Sequence, residues 1–559
     1  MNRSRLIFIM VSLILLIGLN TWLMGQPSHF SAHNQYIDQT AKLRRPTQKV
    51  KSSQSYIERG PISISSNFQL NNSGFPGIGT IDDPIRIEWY NITASSGTLI
   101  YIRDTTLYFR ITNCILNGMS ASVHGVFFYN VIHGTIGNNT IFNNKYCGIK
   151  FDYSSFNSIM NNIIFDNREE SGIWLLHSNN NSISNNTVFN NDDDGIRLLL
   201  SSNNNSLVNN TCYNNKWVGI RLQSSVHNNT ITKNTVYGNN ENGILVEGPI
   251  ASNNTRITHN IVHDNTYHGI MVSQGSSYCT IVNNTVYNNN DHGIWLAPSN
   301  NNTISNNTVY SNVDDGINIV GSENNTISYN TVRNNSKRGI VIEMDFPNNI
   351  SSNYSIINSN TVYGNNQLGI FLNGANNNSV TNNNVYNNNA EGLALHSSSN
   401  NTLTSNKLHN NQAGITVWDS NFNIILRNNI SSNDGAGIGI GKSTNNSVIN
   451  NTIQDNGGHG IEIGHDASNN NVSWNDFIGN NPEGDSQAYD DGSNNDFAHN
   501  YWSDWQGLGT YSIDGDANNH DPYPRGTPSL VLFIITGFII VIIALGAIGG
   551  VILIRKLLK

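Results

Sequence analysis

Apolar residues along most of this chain come in short pulses, each too brief for a helix. In the stretch that begins at Gly293 they are Ile294 with Leu296, then Ile304, then Val309, with Asn- and Ser-rich turns between them. The alternation in Gly293-Ile-Trp-Leu296 has the period of a strand with one face buried. A Gly followed by an aliphatic, a variable residue and another aliphatic recurs at Gly148, Gly172, Gly195, Gly219, Gly243, Gly269, Gly293, Gly316, Gly339, Gly369, Gly392, Gly414, Gly437 and Gly460. Most steps are 22 to 24 residues. The longer steps before Gly269 and Gly369 mark insertions near Pro249 and Pro347. Three strands, three bends and a constant period describe one triangular coil of a β-solenoid. Coils stacked at about 4.8 Å give three parallel sheets around an Ile/Leu/Val interior, so the expected class is an all-β parallel β-helix with three strands per coil.

The polar residues change the picture next. Charged residues are only 12 % of the chain, and Asn is abundant in the turns. An Asn-rich tract can mean prion-like disorder, but here Asn sits at fixed offsets from Ile and Val. Asn186, Asn210, Asn234, Asn260, Asn284, Asn307 and Asn330 are expected to stack as one row, each amide bonding the turn and the same Asn one coil away. The recurring Gly is expected to supply a bend that other residues would strain. A net charge of −9 and the absence of a basic stripe argue against nucleic-acid binding. Cys114, Cys147, Cys212 and Cys279 are far apart, with no spacing that signals a zinc site or a disulfide framework. Cys212 falls at an interior position and reads as a small buried hydrophobe.

Both ends of the chain are hydrophobic. Asn2-Arg3-Ser4-Arg5 and the apolar run Leu6–Leu23 read as a signal peptide or an uncleaved signal anchor. The run from Leu530 to Ile554 is long enough to cross a bilayer, and Arg555, Lys556 and Lys559 follow it. The positive-inside rule places that tail in the cytoplasm and the bulk of the chain outside. The expected plan is a signal segment at 1–25, a polar linker at 26–60, and an N-terminal cap with first coils at 61–124. Repeats follow at 125–480, then a C-terminal cap and hinge at 481–529, a transmembrane helix at 530–554 and a basic tail at 555–559. Localisation is thus the cell membrane, single-pass, or two-pass if the first segment is kept.

The units resemble the parallel β-helix repeats of the NosD-type periplasmic copper-binding family and the wider carbohydrate-binding and sugar-hydrolase (CASH) group. These are pectate-lyase-like, and the resemblance covers roughly residues 61–525. Gly74-Phe-Pro-Gly-Ile-Gly-Thr80 with Asp83-Pro-Ile85 is similar to the opening segment of archaeal surface members. Asn500-Tyr-Trp-Ser-Asp-Trp505 with Ile513-Asp-Gly-Asp516 and Asp521-Pro-Tyr-Pro524 is similar to their closing segment. The resemblance implies a right-handed helix. It is weak for function, because this fold hosts lyases, hydrolases, epimerases, adhesins and structural proteins. The family's copper association does not transfer, since no His/Met/Cys set is dense enough to carry it.

Two rows hold the candidate chemistry. The residue two after each repeat Gly should face outward on one sheet, a row that includes Lys150, Trp174, Arg197, Arg221, Leu245, Met271, Trp295, Asn318, Val341 and Phe371. Trp174, Arg197, Arg221, Trp295 and Phe371 suit a polysaccharide, with rings against sugar faces and guanidinium groups on hydroxyls or uronate carboxylates. An outer face that merely tolerates apolar residues is the alternative. The turn before the same Gly carries Asp193-Asp194, Glu241, His268, Asp291-His292, Asp314-Asp315 and Arg338. Stacking sets His268, His292 and Asp315 on consecutive coils, a spacing that suits metal ligands or an acid/base pair. Asp194 and Glu241 would stand roughly 10 Å apart, near the inverting-hydrolase range. Solvated turn residues are the plain alternative. Asp514, Asp516 and Asp521 resemble the start of a calcium loop, without its Gly and Glu. Of the many Asn-x-Ser/Thr triplets, Asn253 and Asn349 stand out as glycosylation acceptors, because most of the others follow from the repeat. The expected function is a membrane-anchored surface protein that binds glycans or forms an adhesive layer. A polysaccharide lyase, hydrolase or epimerase is the alternative, and accessory metal handling a second one.

Overall fold

The computed structural model describes residues 55–528, apart from Ser122, Glu483 and Asp485. Both terminal hydrophobic runs, most of the expected linker and the basic tail at 555–559 lie outside the described residues. Among the described residues no helix is long and apolar enough to cross a membrane.

Short strands run in a repeating order of three, and each pairs in parallel with its equivalent one coil before and one coil after. The unit from Gly293 shows the pattern: Ile294–Ala297, then Thr303–Ser305, then Thr308–Tyr310. We call the sheets built from the first, second and third strands of the unit sheets 2, 3 and 1. They hold 18, 18 and 19 strands. Each strand turns one face inward, so Ile294, Leu296, Ile304 and Val309 have no exposed surface. Cys212 sits in the same interior, and all four cysteines are buried and unpaired. Sheet 1 begins with Ile57–Arg59, inside the stretch expected to be linker, because Ile57 to Arg59 pair in register with Tyr90 to Ile92.

The corners explain the Asn content. Most bends place one residue in the left-handed region and follow it with a buried Asn, with Ser or Cys in its place after residues such as Tyr278 and Tyr354. In this unit Asn301, Asn306 and Ser311 have φ of 57°, 55° and 55°, and Asn302, Asn307 and Asn312 come next. The buried Asn form ladders. The Asn307 Oδ1 accepts both the backbone N–H (2.9 Å) and the side-chain amide (3.0 Å) of Asn284, while Asn307 Nδ2 donates to Asn330 Oδ1 at 3.0 Å. Parallel ladders occupy the other two corners. One runs through Asn289, Asn312 and Asn335, and the other through Asn302 and Asn325, with Asn302 Oδ1 accepting the Cys279 N–H at 2.8 Å. Bends that would otherwise strand buried donors are satisfied in this way.

The repeat Gly has a different task from the expected one. Gly293 and its equivalents do not have positive φ. A Cβ at Gly293 would lie 2.4 Å from Val309 Cγ1, 2.6 Å from the Gly316 carbonyl oxygen and 2.7 Å from Asn312 Nδ2. Close approach of one coil to the next selects Gly here, and the left-handed conformation falls to the turn Asn, Asp, Ser and aromatic residues.

The ends are closed. A one-turn helix, Asn67–Asn71, lays Leu70 over the first coil, and Ser66 caps it by accepting from Gln69 N–H. At the other end Trp502 stacks between Phe477 and Tyr511, with centroids 4.3 and 4.1 Å away. The ladders point their donor ends this way and finish on acceptors. Asn500 donates from its backbone and amide to Asp521 Oδ2 (2.9 and 3.2 Å), Asn495 Nδ2 donates to Asp490 Oδ1 (2.9 Å), and Asn480 donates to Gln487 Oε1. Asp521 also accepts from Trp502 Nε1 and is fully buried. Its carboxylate therefore ends a ladder rather than joining Asp514 and Asp516 in a loop.

Candidate functional site

The outward row of sheet 2 runs in register through Lys150, Trp174, Arg197, Arg221, Leu245, Met271, Trp295, Asn318, Val341 and Phe371. Its members are not equally accessible. Leu245, Asn318 and Val341 are buried. Trp174 lies between the Lys150 ammonium (4.4 Å) and the Arg197 guanidinium (5.3 Å), so its faces are covered. Trp295 packs against His268, with centroids 4.4 Å apart. The guanidinium groups are also engaged: Arg197 with Asp193 at 3.3 Å, Arg221 with Glu247 and, at 3.8 Å, Asp194. Arg338 holds Asp315 through two bonds of 2.9 Å and lies 5.3 Å over Phe371.

The residues just before each Gly do structural work. An acceptor side chain there takes the backbone N–H of the equivalent residue one coil on. Asp194 Oδ1 accepts from Val218 N–H (3.0 Å), Asn242 Oδ1 from His268 N–H (3.1 Å), His292 Nδ1 from Asp315 N–H (3.2 Å), and Asp315 Oδ1 from Arg338 N–H (3.0 Å). His268 and His292 stack at 5.3 Å with 6° between planes, and Asp315 Oδ2 lies 3.6 Å from His292 Nδ1. So the three residues expected on consecutive coils do meet. Asp194 and Glu241 instead each face Arg221.

Burial sets the proton chemistry. Burial and Asp193 raise the Asp194 carboxyl to about 7 against the pull of Arg221 and Arg197. Burial also raises Glu241. Burial and His292 lower His268 to about 3, so its imidazole is neutral. Asp194 has no exposed surface and does not reach a ligand without movement.

Three sets of side chains bring ligand-type atoms within 4.8 Å of one another: His268/Asp291/His292, His292/Asp314/Asp315, and His124/Cys147/Glu170. The last was not apparent from sequence. His292 Nδ1 accepts a backbone N–H, so in the neutral ring its other nitrogen carries the proton and offers no lone pair to a metal. The same holds for His124, whose Nδ1 accepts from Cys147 N–H at 3.2 Å. The Cys147 thiol donates to Glu170 Oε2 at 3.0 Å, and burial with Glu170 pushes it well above its usual value. The His292/Asp314/Asp315 and His124/Cys147/Glu170 sets therefore suit hydrogen-bonded corners better than an ion, whereas His268 Nδ1, 3.6 Å from Asp291, is buried without a hydrogen-bond partner.

What remains is a strip about ten coils long with unusual polar demand. Trp174 Nε1, Asp194 Oδ2, Arg197 Nε, Trp295 Nε1, Asp314 Oδ1 and Asn318 Oδ1 are buried there without a hydrogen-bond partner in the protein. Two exposed rings, Trp217 (46 %) and Tyr267 (49 %), flank the strip on the corner that carries the repeat Gly. Sequence reasoning passed over both, although each is a large aromatic in a turn otherwise built of Asn, Asp and Lys. The insertions leave from the opposite edge, after Glu247 and after Glu343, and the second is a small hairpin bridged from Asp345 to Ile350. The rings thus stand at one edge of the strip and the insertions at the other. The outer face of sheet 1 is a poorer surface for a ligand: Phe142, Phe165, Phe189, Tyr213, Tyr237, His263, Tyr287 and Tyr310 stack there with centroids 4.7 to 5.0 Å apart and cover one another's faces. One surface recess is lined by ladder and turn amides such as Asn388 and Asn411, away from this strip.

Fold and strip together define a parallel β-solenoid with one chemically distinct face. The family described as right handed beta helix region matches residues 98–249, 228–356 and 348–502, and the chain belongs to it. Similar solved structures include the A-module of Azotobacter vinelandii mannuronan C-5 epimerase AlgE6, 14 % identical over 62 % of this chain and 87 % of that one (TM-score 0.37). The periplasmic alginate epimerase AlgG is 12 % identical over 77 % and 87 % (TM-score 0.33). The enzymatically active domain of bacteriophage CBA120 tailspike protein 2 is 14 % identical over 52 % and 45 % (TM-score 0.33). No curated protein matches.

Proposed function

We propose that this protein is an exported, membrane-anchored β-helix that binds an extracellular polysaccharide along the outer face of sheet 2, as a binding or adhesive component of the cell surface. The observation that carries the reading is the strip itself: aromatic or charged side chains on six of ten registered coils, exposed rings at one edge and insertions at the other, with buried polar atoms that lack partners. Sugars supply hydroxyl donors and acceptors at a spacing close to one coil, and rings at the rim stack on their apolar faces. The hydrophobic run at 530–554 and the basic residues after it support the anchor, and the resemblance to archaeal surface proteins supports the outward placement. A glycan array with the full-length protein tests the reading. Binding should fall at least tenfold in Trp217→Ala/Tyr267→Ala, whose rings are exposed, and should survive Tyr213→Ala on sheet 1. Equal loss in all three would sink it.

A second reading, a polysaccharide lyase, hydrolase or epimerase, is favoured by one observation, the Asp194 carboxyl raised to about 7 beside Arg221. Release of unsaturated or reducing ends by wild type, lost in His268→Ala/His292→Ala/Asp315→Ala and in Asp194→Asn, would establish it over the non-catalytic reading.

A further inference from the structure

The charges of the strip are unequally matched. Along its central coils each cation already has an acid: Arg197 with Asp193, Arg221 with Glu247, Lys337 with Asp314 at 2.6 Å, and Arg338 with Asp315. None of these four offers a free guanidinium or ammonium to a carboxylate on a ligand. The acids are in excess. Asp291 has no Lys or Arg within ion-pair distance among the described residues, and its nearest ring partners are His268 and His292 at 3.6 and 3.8 Å. A polyuronate or sulfated chain laid on this face would meet uncompensated negative charge at short range.

The same region holds acceptors in search of donors. Asp314 Oδ1 and Asn318 Oδ1 are buried without partners, and Asn318 is only 2 % exposed. Both adjoin one group of side chains: Asp314 Oδ1 lies 3.6 Å from His292 Nδ1, and Asn318 Nδ2 donates to Asp315 Oδ2 at 3.0 Å. Trp295 closes one side, 6.0 Å from His292 between ring centroids. Lys337 shows what this setting accommodates, since its ammonium already sits on the other Asp314 oxygen. An ammonium brings three donors, which answer the Asp314 carboxylate and, once the Asn318 side chain moves out of its buried position, its amide oxygen, and the aromatic face nearby favours a cation. A divalent ion suits the place less, because His292 Nδ1, the ring nitrogen beside Asp314 and Asp315, already accepts the Asp315 N–H.

We infer that the stretch around His292, between Asp291, Asp314 and Asn318, takes a primary ammonium, so that the polysaccharide bound on sheet 2 is one bearing free amines rather than carboxylates. This rests on the glycan-binding reading above and narrows it to amino-sugar polymers.

The test is calorimetry on the full-length protein at pH 5.5 with three hexamers: glucosamine, N-acetylglucosamine and a uronate. The glucosamine hexamer should bind at least tenfold tighter than its N-acetylated counterpart, lose that margin at high salt, and be indifferent to a chelator, while the uronate shows no binding. In Asp291→Asn/Asp314→Asn, checked for native circular dichroism, the preference for the amine should shrink towards unity. Equal affinity for the two hexosamine hexamers, tighter binding of the uronate, or uronate binding that depends on calcium overturns the amine assignment while leaving glycan binding intact. Failure of all three hexamers and of the array overturns the glycan reading with it.

Discussion

Replacing one ladder residue, Asn284→Ala, isolates what the Asn rows contribute. Asn284 is 1 % exposed. Its Oδ1 accepts the backbone N–H of Asn260 at 2.9 Å and the Asn260 amide at 3.0 Å. Its own Nδ2 donates to Ile257 O at 2.9 Å and to Asn307 Oδ1 at 3.0 Å. Alanine leaves two buried donors of Asn260 without this acceptor. At roughly 1–3 kcal/mol for each stranded group, the expected loss is about 2–6 kcal/mol. The neighbouring Asn283→Ala is the control. Asn283 faces solvent in the left-handed region (φ 57°), so alanine there costs about 1–2 kcal/mol of conformational strain and strands nothing. Urea melts followed by circular dichroism measure both. If Asn284→Ala is no more destabilising than Asn283→Ala, the ladders are not what satisfies the bends. Asn284→Asp adds a check with a sign. A carboxylate there would face the Ile257 carbonyl and Asn307 Oδ1 in place of donating to them, so its pKa rises on folding. The variant should then be most stable below the pKa of an unfolded Asp, about 3.9, and lose stability as pH rises.

Further outcomes follow from the same contacts. Gly293→Ala should destabilise by several kcal/mol through overlap with Val309, the Gly316 carbonyl and Asn312, whereas Gly439→Ala, with open space at its Cβ position, should change the melting temperature little. Asp521→Ala, which removes the acceptor for Asn500 and Trp502, should cost about 2–6 kcal/mol and loosen protection from hydrogen exchange at the C-terminal coils first. Asp194 is raised in the fold from 3.8 to about 7, so its favourable term is full below 3.8 and is lost as pH climbs through 7. Asp194→Asn should flatten that decline, which is on the order of 4 kcal/mol, in pH-dependent melts. His268 has the opposite sign. Lowered from 6.5 to about 3, it adds stability above 6.5 that fades as pH falls towards 3, and His268→Gln should remove that acid sensitivity.

The architecture was legible because a solenoid writes each contact many times. The period from Gly to Gly, the three pulses and the Asn186–Asn330 row all survive as sheets and a ladder, since a residue in one coil has its partner at the same offset in the next. Two further ladders, through Asn289–Asn312 and Asn302–Asn325, were present at equally fixed offsets but were not singled out. The role of the repeat Gly was misjudged because a tight bend and a close approach both select Gly, and only the position of a Cβ distinguishes them. Trp174 illustrates the limit for sites. Alternation places it outward, but whether its faces are free depends on Lys150 and Arg197 in the adjoining coils. Asp521 reads as part of an acidic loop until the end of a ladder is found waiting for a carboxylate.

The central claim is that the ligand face is sheet 2. A crystal structure of the protein with a hexasaccharide selected from the array tests it most directly. The account predicts a chain running along the solenoid axis between Trp217 and Trp295, beside Tyr267, with a polar group of the sugar on Asp314 and Asn318. A sugar lodged on the stacked tyrosines of sheet 1, or on the outer face of sheet 3, would contradict it.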